Sequence, residues 1–340
     1  MAQIDKPNLH FNTVLTTGDG TSSQAVTTGF QPDLIWWKNR GAAQNHRVQN
    51  SITGTGNAVY TSLSQAADTG VTSYLQSFDS NGFTMGTDFA SSNNFVSWAW
   101  KAGGTASSNT DGSITSSVSA NTTAGVSIVS FTGTGANGTV GHGLGQTPAM
   151  IIQKNLSITS AWSVWHKSFN GNQVIYLNET GTVGSNTSSW NSTTPTASVF
   201  SVGTGSYPNG SGNSQIYYVF AEKKGFSKIG TYIGNGNADG TFVYTGFKPA
   251  FLLYKSADQN SNWLMWDSKR PGYNEIQKLV MPNLSNVEGD SGSDALDFLS
   301  NGFKFRGTGA ATNGSGQAVI YMAFAENPIV GSNDVPATAR

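Results

Sequence analysis

Three stretches of this sequence share one pattern, in which a Gly and a Pro precede a short apolar run that ends in Lys. They read TGFQPDLIWWK at 28–38, HGLGQTPAMIIQK at 142–154 and TGFKPAFLLYK at 245–255. The stretches recur at intervals of roughly a hundred residues, and such a period signals tandem copies of one structural unit. The sequence therefore predicts three repeats.

Two further landmarks follow in the same order in every repeat. A Phe-led strand that runs to Gly-Thr comes first, and a strongly apolar strand then closes the repeat. The first landmark lies at 83–87, 200–204 and 303–308, and the second lies at 95–100, 215–220 and 319–324. Because all the landmarks keep their order in three copies, chance is a poor explanation for the repeat.

An Asp-Gly or Asn-Gly pair precedes the Pro of each repeat, at 19–20, 137–138 and 239–240. These dipeptides favour two-residue hairpin turns, since type I′ geometry needs positive φ at both central residues. We therefore expect each repeat to open with a β-hairpin.

Short β-rich runs separated by turn dipeptides, with no long segment of helical periodicity, predict an all-β fold. We expect three tandem antiparallel β-sandwich domains of jelly-roll or lectin-like type. The segment 105–123 is almost uncharged and rich in Ser, Thr, Asn and Gly, so it is either a flexible linker or an extra edge strand. The predicted boundaries are 1–104, 124–226 and 227–328 for the domains, and 329–340 for a C-terminal tail.

Composition excludes several classes of function. The 340 residues carry 18 basic and 19 acidic side chains, and this net charge of −1 provides no field to attract phosphates. We expect neither nucleic acid binding nor membrane insertion, since the sequence contains no apolar run of membrane-spanning length. The chain has no Cys, so disulfides and thiolate metal sites are excluded.

Motifs that resemble catalytic or cofactor sites have simpler explanations here. The stretch 133–138 matches the GxGxxG dinucleotide fingerprint, but a strand rather than a helix is expected to follow it. The four histidines are far apart in sequence and show no ligand spacing, and no Ser-His-Asp grouping stands out. We therefore expect no catalytic residues, no cofactor and no metal ligands among these motifs.

An acidic segment at 288–297 leaves two interpretations open. It gathers four carboxylates, which suit either a solvated loop or a calcium site. The four are Glu288, Asp290, Asp294 and Asp297.

Tryptophan pairs occupy equivalent positions in the second and third repeats. Trp162 and Trp165 are three residues apart, as are Trp263 and Trp266, so strand periodicity turns the members of each pair to opposite faces. One ring of each pair is expected in the core. The other is a candidate contact for a glycan or a protein partner, or packs against a neighbouring repeat or subunit.

Several stretches resemble the tandem-repeat structural proteins of marine bacteriophages, which are described as tail-fibre or minor virion proteins. The resemblance covers nearly the whole chain. It rests on GFQPDLIWWKNR at 29–40, FDSNGFTMGT at 78–87, SNTDGSITSSVSANTTAG at 108–125, TVGHGLGQTPAMIIQKN at 139–155 and YMAFAENP at 321–328. It implies a location on the virion, lectin-like β-sandwich units and assembly with other virion proteins, and it transfers no catalytic residues.

The expected function is therefore that of a non-enzymatic virion protein of the tail or tail-fibre apparatus that contributes to host attachment. Its expected partners are other virion proteins, a host-surface glycan or receptor, and further copies of itself, with a trimer favoured. One alternative is a capsid-decorating or head-fibre protein. A third is a polysaccharide depolymerase that uses Asp290, Asp294 or Asp297.

Overall fold

A computed structural model describes residues 3–89 and 92–329 of the chain, and these residues form an all-β fold with several antiparallel sheets. Helical structure is limited to short pieces, and none of the helices in this part of the chain has the length and apolar character needed to cross a membrane. Of the predicted tail 329–340, only Ile329 lies within the described residues. The α-helices are α1 (Thr187–Trp190), α2 (Ser206–Asn209) and α3 (Ala310–Asn313), and single 3-10 turns span Pro7–Leu9, Thr87–Phe89 and Gly292–Asp294.

Repeat 1, defined here as residues 11–100, forms one large sheet and one small sheet. The large sheet has the order β1-β9-β3-β4-β5-β6, and the small sheet has the order β2-β8-β7. The strands are β1 (Phe11–Thr17), β2 (Gln24–Thr27), β3 (Leu34–Asn39), β4 (Arg47–Asn50), β5 (Asn57–Tyr60), β6 (Asp68–Thr69), β7 (Leu75–Asp79), β8 (Gly82–Met85) and β9 (Asn94–Trp100).

Repeat 2, residues 126–220, is built in the same way and is extended by the segment before it. Its large sheet has the order β10-β11-β12-β19-β14-β15-β16-β17, and its small sheet pairs β13 with β18. Because β10 and β11 come from the segment 105–123, that segment adds edge strands. The strands are β10 (Ser107–Asn109), β11 (Ser116–Asn121), β12 (Val126–Thr132), β13 (Gly138–Gly141), β14 (Met150–Asn155), β15 (Ser163–His166), β16 (Gln173–Tyr176), β17 (Gly184–Ser185), β18 (Val199–Val202) and β19 (Ser214–Phe220).

Repeat 3, residues 227–328, has a large sheet of order β20-β28-β22-β23, a small sheet of order β21-β27-β26, and a separate β24-β25 pair. In every repeat the predicted closing strand lies in the large sheet between the first and third strands of that repeat, and the predicted Phe-led strand lies in the small sheet. The strands are β20 (Ser227–Ile233), β21 (Phe242–Tyr244), β22 (Phe247–Ser256), β23 (Leu264–Asp267), β24 (Lys278–Leu279), β25 (Gly289–Asp290), β26 (Leu296–Leu299), β27 (Gly302–Phe305) and β28 (Ala318–Pro328).

The predicted opening hairpins are wrong. In repeat 1 the strands on either side of the Asp-Gly turn do not pair with each other, because β1 pairs with β9 in the large sheet while β2 pairs with β8 in the small sheet. The turn is a corner between two sheets. Gly20 of this turn has a φ of +81°, and in repeat 3 a Cβ on the equivalent Gly240 would lie 2.6 Å from the Phe305 carbonyl oxygen, so both positions favour glycine.

One hydrophobic cluster joins all three repeats. It contains one face of each large sheet, and the last aromatic residues of the three closing strands meet within it. The ring centroids of Trp100, Phe220 and Phe324 are 6.3, 5.7 and 6.0 Å apart, which is close to an equilateral triangle. The three large sheets therefore face a common centre with approximate threefold symmetry.

The opposite face of each large sheet packs on the small sheet of its own repeat. In repeat 1, Ile35 and Trp37 of β3 share a cluster with Val26 and Phe83 of the small sheet. A corresponding cluster joins Tyr254 of β22 to Phe303 in repeat 3. Both faces of a large sheet are thus buried, which explains why strands such as β3, β14 and β22 read as continuous apolar runs rather than as an alternating pattern.

The seams between neighbouring large sheets are closed by equivalent side chains. Trp162 of repeat 2 donates from Nε1 to the Tyr60 carbonyl of repeat 1 at 2.9 Å, and Trp263 of repeat 3 donates to the Tyr176 carbonyl of repeat 2 at 2.9 Å. His46 takes this place in repeat 1, where the contact with repeat 3 is made by Thr61, which donates from Oγ1 to the Pro282 carbonyl at 2.7 Å. The three contacts form a closed cycle around the common centre.

The three Lys residues that end the apolar runs are also buried, and two of them contact a neighbouring repeat. None forms an ion pair within the described residues, and their ammonium groups donate to backbone carbonyls instead. Lys38 reaches the Ser285 carbonyl of repeat 3 at 3.1 Å, and Lys154 reaches the Ser64 carbonyl of repeat 1 at 2.9 Å. Burial lowers the pKa of Lys38, Lys154 and Lys255 to about 8.

Candidate functional site

The four tryptophans proposed as partner contacts lie in the interior. Trp162, Trp165, Trp263 and Trp266 are at most 3% exposed, so neither pair offers a surface ring to a glycan or protein partner. The opposite orientation is correct for the pair of repeat 3: Trp263 belongs to the shared central cluster, and Trp266 to the cluster under the small sheet. In repeat 2 the central cluster extends to the small sheet, and it contains both Trp162 and Trp165. Both rings are covered because both faces of the large sheet are covered. The alternative role, contact with a neighbouring repeat, is what Trp162 and Trp263 fulfil.

The GxGxxG stretch at 133–138 is a loop that wraps around an asparagine side chain. Asn209 accepts a hydrogen bond from the Thr134 backbone N–H at 2.8 Å and donates to the Ala136 carbonyl at 2.6 Å. Asn313 makes equivalent contacts with Asn235 and Asn237 in repeat 3. The loop amides are thus bonded within the protein, and a strand rather than a helix follows.

Three of the four histidines are buried, and the fourth, His10, is half-buried. Burial lowers the pKa of His46 well below its usual range, lowers that of His142, and lowers that of His166 to about 4. His46 accepts a hydrogen bond at Nδ1 from Trp36 Nε1 at 3.1 Å. Burial therefore favours the neutral form of these imidazole rings in the folded chain.

The carboxylates of the segment 288–297 do not converge on one point. Each has its own partner: Glu288 pairs with Arg40 and Arg270, Asp290 with Lys278, Asp294 with Thr312, and Asp297 with Arg306. Across residues 3–89 and 92–329, no group of three or more His, Cys, Asp or Glu side chains is arranged to hold a metal ion.

The most distinctive surface lies on the small sheet of repeat 3. Tyr244 is 58% exposed and Phe242 is 43% exposed, although they flank Val243, which is buried in the cluster below. Strand alternation explains this arrangement, because residues two apart share a face. Ile233, at the end of β20, is 54% exposed, and its carbonyl accepts a hydrogen bond from Thr241, the residue before Phe242.

We call the outer surface of the β21-β27-β26 sheet the aromatic face. It comprises Phe242, Tyr244, Asp297, Leu299, Gly302 and Lys304. It packs on Phe298, Phe303 and Phe305, which are all fully buried. Phe242 stands opposite Lys304, and Tyr244 stands opposite Gly302. A Cβ on Gly302 would lie 3.0 Å from the Phe242 ring, so the ring leans across this glycine.

Paired charges border the rings. The Lys304 ammonium lies 2.5 Å from Asp239 Oδ1, and Arg306 Nε lies 2.5 Å from Asp297 Oδ2. The hydrogen bond from Lys304 lowers the pKa of the exposed Asp239 carboxyl below its usual value. Asp239 is the exposed acceptor of this border, since its side chain is 82% exposed and that of Asp297 only 10%. The four charges together carry no net charge.

The equivalent positions in the other repeats have no aromatic residue. Val26, Val140 and Val243 pair with Phe83, Phe200 and Phe303, and this register aligns the residues beside them. Phe242 thus corresponds to Ala25 and Thr139, and Tyr244 corresponds to Thr27 and Gly141. Ile233, the last residue of its strand, corresponds to Thr17 and Thr132.

In repeat 2 the chain itself covers the equivalent strand. Ile114 bridges to Val140 in parallel, Ser113 bonds with Thr139, and the Asn109 side chain lies where a Cβ on Gly141 would be. Only Trp residues were named as aromatic contacts from the sequence, and the exposed rings of repeat 3 were not predicted. The signal was present in the Phe-Val-Tyr triplet, which departs from the small residues of the other two repeats.

Comparison with known proteins finds one family and no annotated relative. A family model described as a domain of unknown function, DUF7483, matches residues 6–328. No curated protein and no solved structure matches the chain. The match covers all three repeats and the edge strands between the first two, so the chain belongs to the DUF7483 family.

Proposed function

We propose that this chain is a non-enzymatic structural protein of a bacteriophage particle, located in the tail or tail-fibre apparatus, and that it contributes to host attachment through the aromatic face of repeat 3. The observation that carries the proposal is the exposure of Phe242 and Tyr244 at positions where the other repeats have small residues. Exposed aromatic residues on a rigid sheet are typical of recognition surfaces.

The scaffold suits such a role. We interpret each large sheet with its small sheet as a β-sandwich domain, within 1–104, 124–226 and 227–328, with 105–123 attached to the second. The shared central cluster and the closed cycle of seam contacts hold the three together. A contact surface on a rigid element loses little conformational entropy on binding, which favours its use for attachment.

The resemblance to tandem-repeat virion proteins supplies the location, and it makes other virion proteins the expected partners. Homo-oligomers, with a trimer favoured, stay part of the proposal. A single chain already has approximate threefold symmetry around Trp100, Phe220 and Phe324, so it could also stand on a threefold axis as a monomer. Light scattering of the purified protein distinguishes one copy from three.

Immunogold labelling of intact virions tests the location. Gold at the tail supports the proposal, gold distributed over the head would replace it with a capsid-decorating role, and virions that lack the protein would overturn it. Competition tests attachment: purified protein should reduce adsorption of the phage to its host, and a Phe242→Ala, Tyr244→Thr double variant should not.

A further inference from the structure

We propose that the aromatic face binds a neutral carbohydrate, with a sugar ring stacked on Tyr244 and Phe242 and its hydroxyls bonded to the bordering charges. This inference rests on the proposed function, because it names the class of receptor that the attachment surface would recognise. It is argued from three properties of the face.

The first property is the arrangement of the two rings. Both are on one short strand, two residues apart, and both are substantially exposed. A sugar presents an apolar face of C–H groups, and covering an aromatic ring with that face removes apolar surface of both partners from water. Gly302, opposite Tyr244, has no side chain of its own, which gives the Phe242 ring room to lean across it.

The second property is the balance of polar groups at the border. Lys304 lies directly across from Phe242 and is anchored to Asp239, and Arg306 is anchored to Asp297. Such pairs present both donors and acceptors in fixed positions, which suits hydroxyl groups, since each hydroxyl can donate and accept. An anionic sugar would meet the exposed Asp239 carboxylate beside Lys304, and Arg306 is already paired with the buried Asp297, so the face favours a neutral sugar.

The third property is size. A stable protein partner needs about 800 Å² of surface on each side. The apolar part of the face consists of Phe242, Tyr244, the half-buried Leu299 and the neighbouring Ile233, which is small on that scale. A few sugar units match this extent better than a folded partner does.

Titration of the purified chain with short oligomers of glucose, galactose and mannose, followed by NMR or calorimetry, tests the inference. We expect weak, saturable binding to at least one series. The Phe242→Ala, Tyr244→Thr variant carries the residues of repeat 1 and should weaken binding by at least about tenfold, which is about 1.4 kcal/mol. Because both side chains are exposed, the variant should keep the thermal stability of the parent.

A matched variant makes the test sharper. Ala25→Phe with Thr27→Tyr installs the rings on repeat 1, where Thr84 stands in place of Lys304. Rings without the charged border should bind more weakly than repeat 3, and Lys304→Gln in the parent should weaken binding as well. Equal binding by the parent and the double variant of repeat 3 would overturn the site, and binding only to sulfated or acidic oligosaccharides would overturn the assignment of a neutral ligand.

The inference and the proposed function can fail separately. If the protein is found on virions and blocks adsorption but binds no oligosaccharide, the carbohydrate assignment is wrong while attachment stands. If it binds neutral oligosaccharides through the aromatic face but is missing from virions, the proposed location is wrong while the site stands.

Discussion

The small sheets of repeats 1 and 3 have the same strand arrangement, but their outer faces carry different side chains. Repeat 1 has Ala25 and Thr27 on its outer face, whereas repeat 3 has Phe242 and Tyr244 there. Beneath these residues the two repeats agree, since Val26 and Phe83 correspond to Val243 and Phe303. Interior positions are thus constrained by burial in every repeat, and the outer face of repeat 3 is free to carry a function.

Mutations at the centre are expected to have the largest effect. Phe324→Ala should lower the free energy of unfolding by about 3–5 kcal/mol, because it opens a cavity at the point where the three repeats meet. Phe242→Ala, at an exposed position, should change it by less than about 0.5 kcal/mol. Chemical denaturation followed by tryptophan fluorescence measures both, and similar losses for the two variants would contradict the distinction between core and surface.

The pH dependence of stability tests the buried histidines. His46, His142 and His166 have lowered pKa values in the folded chain, so as the pH falls below about 6.5 the unfolded chain takes up protons at these rings before the folded chain does. The free energy of unfolding should therefore be highest above that pH and decrease steadily toward pH 4.

The His46→Gln variant measures how much His46 contributes to the pH dependence of stability. Its stability should fall less steeply than that of the parent between pH 6.5 and 4, because one buried titrating ring is gone. Denaturation midpoints across this range give the slope, and identical slopes would show that His46 does not carry the effect.

The seam contacts are expected to have a smaller effect. Trp263→Phe removes the Nε1 donor and leaves the Tyr176 carbonyl of the neighbouring repeat without this partner, at a cost of about 1–3 kcal/mol. Tyr207→Phe is a matched control that removes a polar group from an exposed ring, and it should have little effect. Equal stability of the two variants would argue against a closed cycle of contacts between repeats.

Exchanging the outer residues of repeats 1 and 3 should have the smallest effect on stability. The Phe242→Ala, Tyr244→Thr variant should unfold within about 0.5 kcal/mol of the parent. A larger loss would mean that the two rings support the fold, and the comparison between the repeats would then lose its functional meaning.

The sequence predicts the strands well because their pattern is local. The landmark strands form β9, β19 and β28, and β8, β18 and β27, at equivalent positions in each repeat. Local pattern cannot tell which surface covers a strand. The hairpins were therefore predicted wrongly. The two strands beside each Asp-Gly or Asn-Gly turn have the sequence pattern of a hairpin, but they belong to different sheets.

The candidate site was only partly accessible from the sequence. Alternation correctly turned Trp263 and Trp266 to opposite faces, but it could not show that the second face meets two other repeats. The exposed residues of repeat 3 could have been found by aligning Val243 with Val26 and Val140. The alignment could not have shown that these residues are exposed, because the equivalent strand of repeat 2 is covered by the segment around Ile114.

Adsorption competition tests the central claim most directly. Purified parent protein should reduce adsorption of the phage to its host in proportion to its concentration, and the equally stable Phe242→Ala, Tyr244→Thr variant should have little effect. Equal inhibition by both proteins would contradict attachment through the aromatic face, and no inhibition by either would contradict a role in attachment.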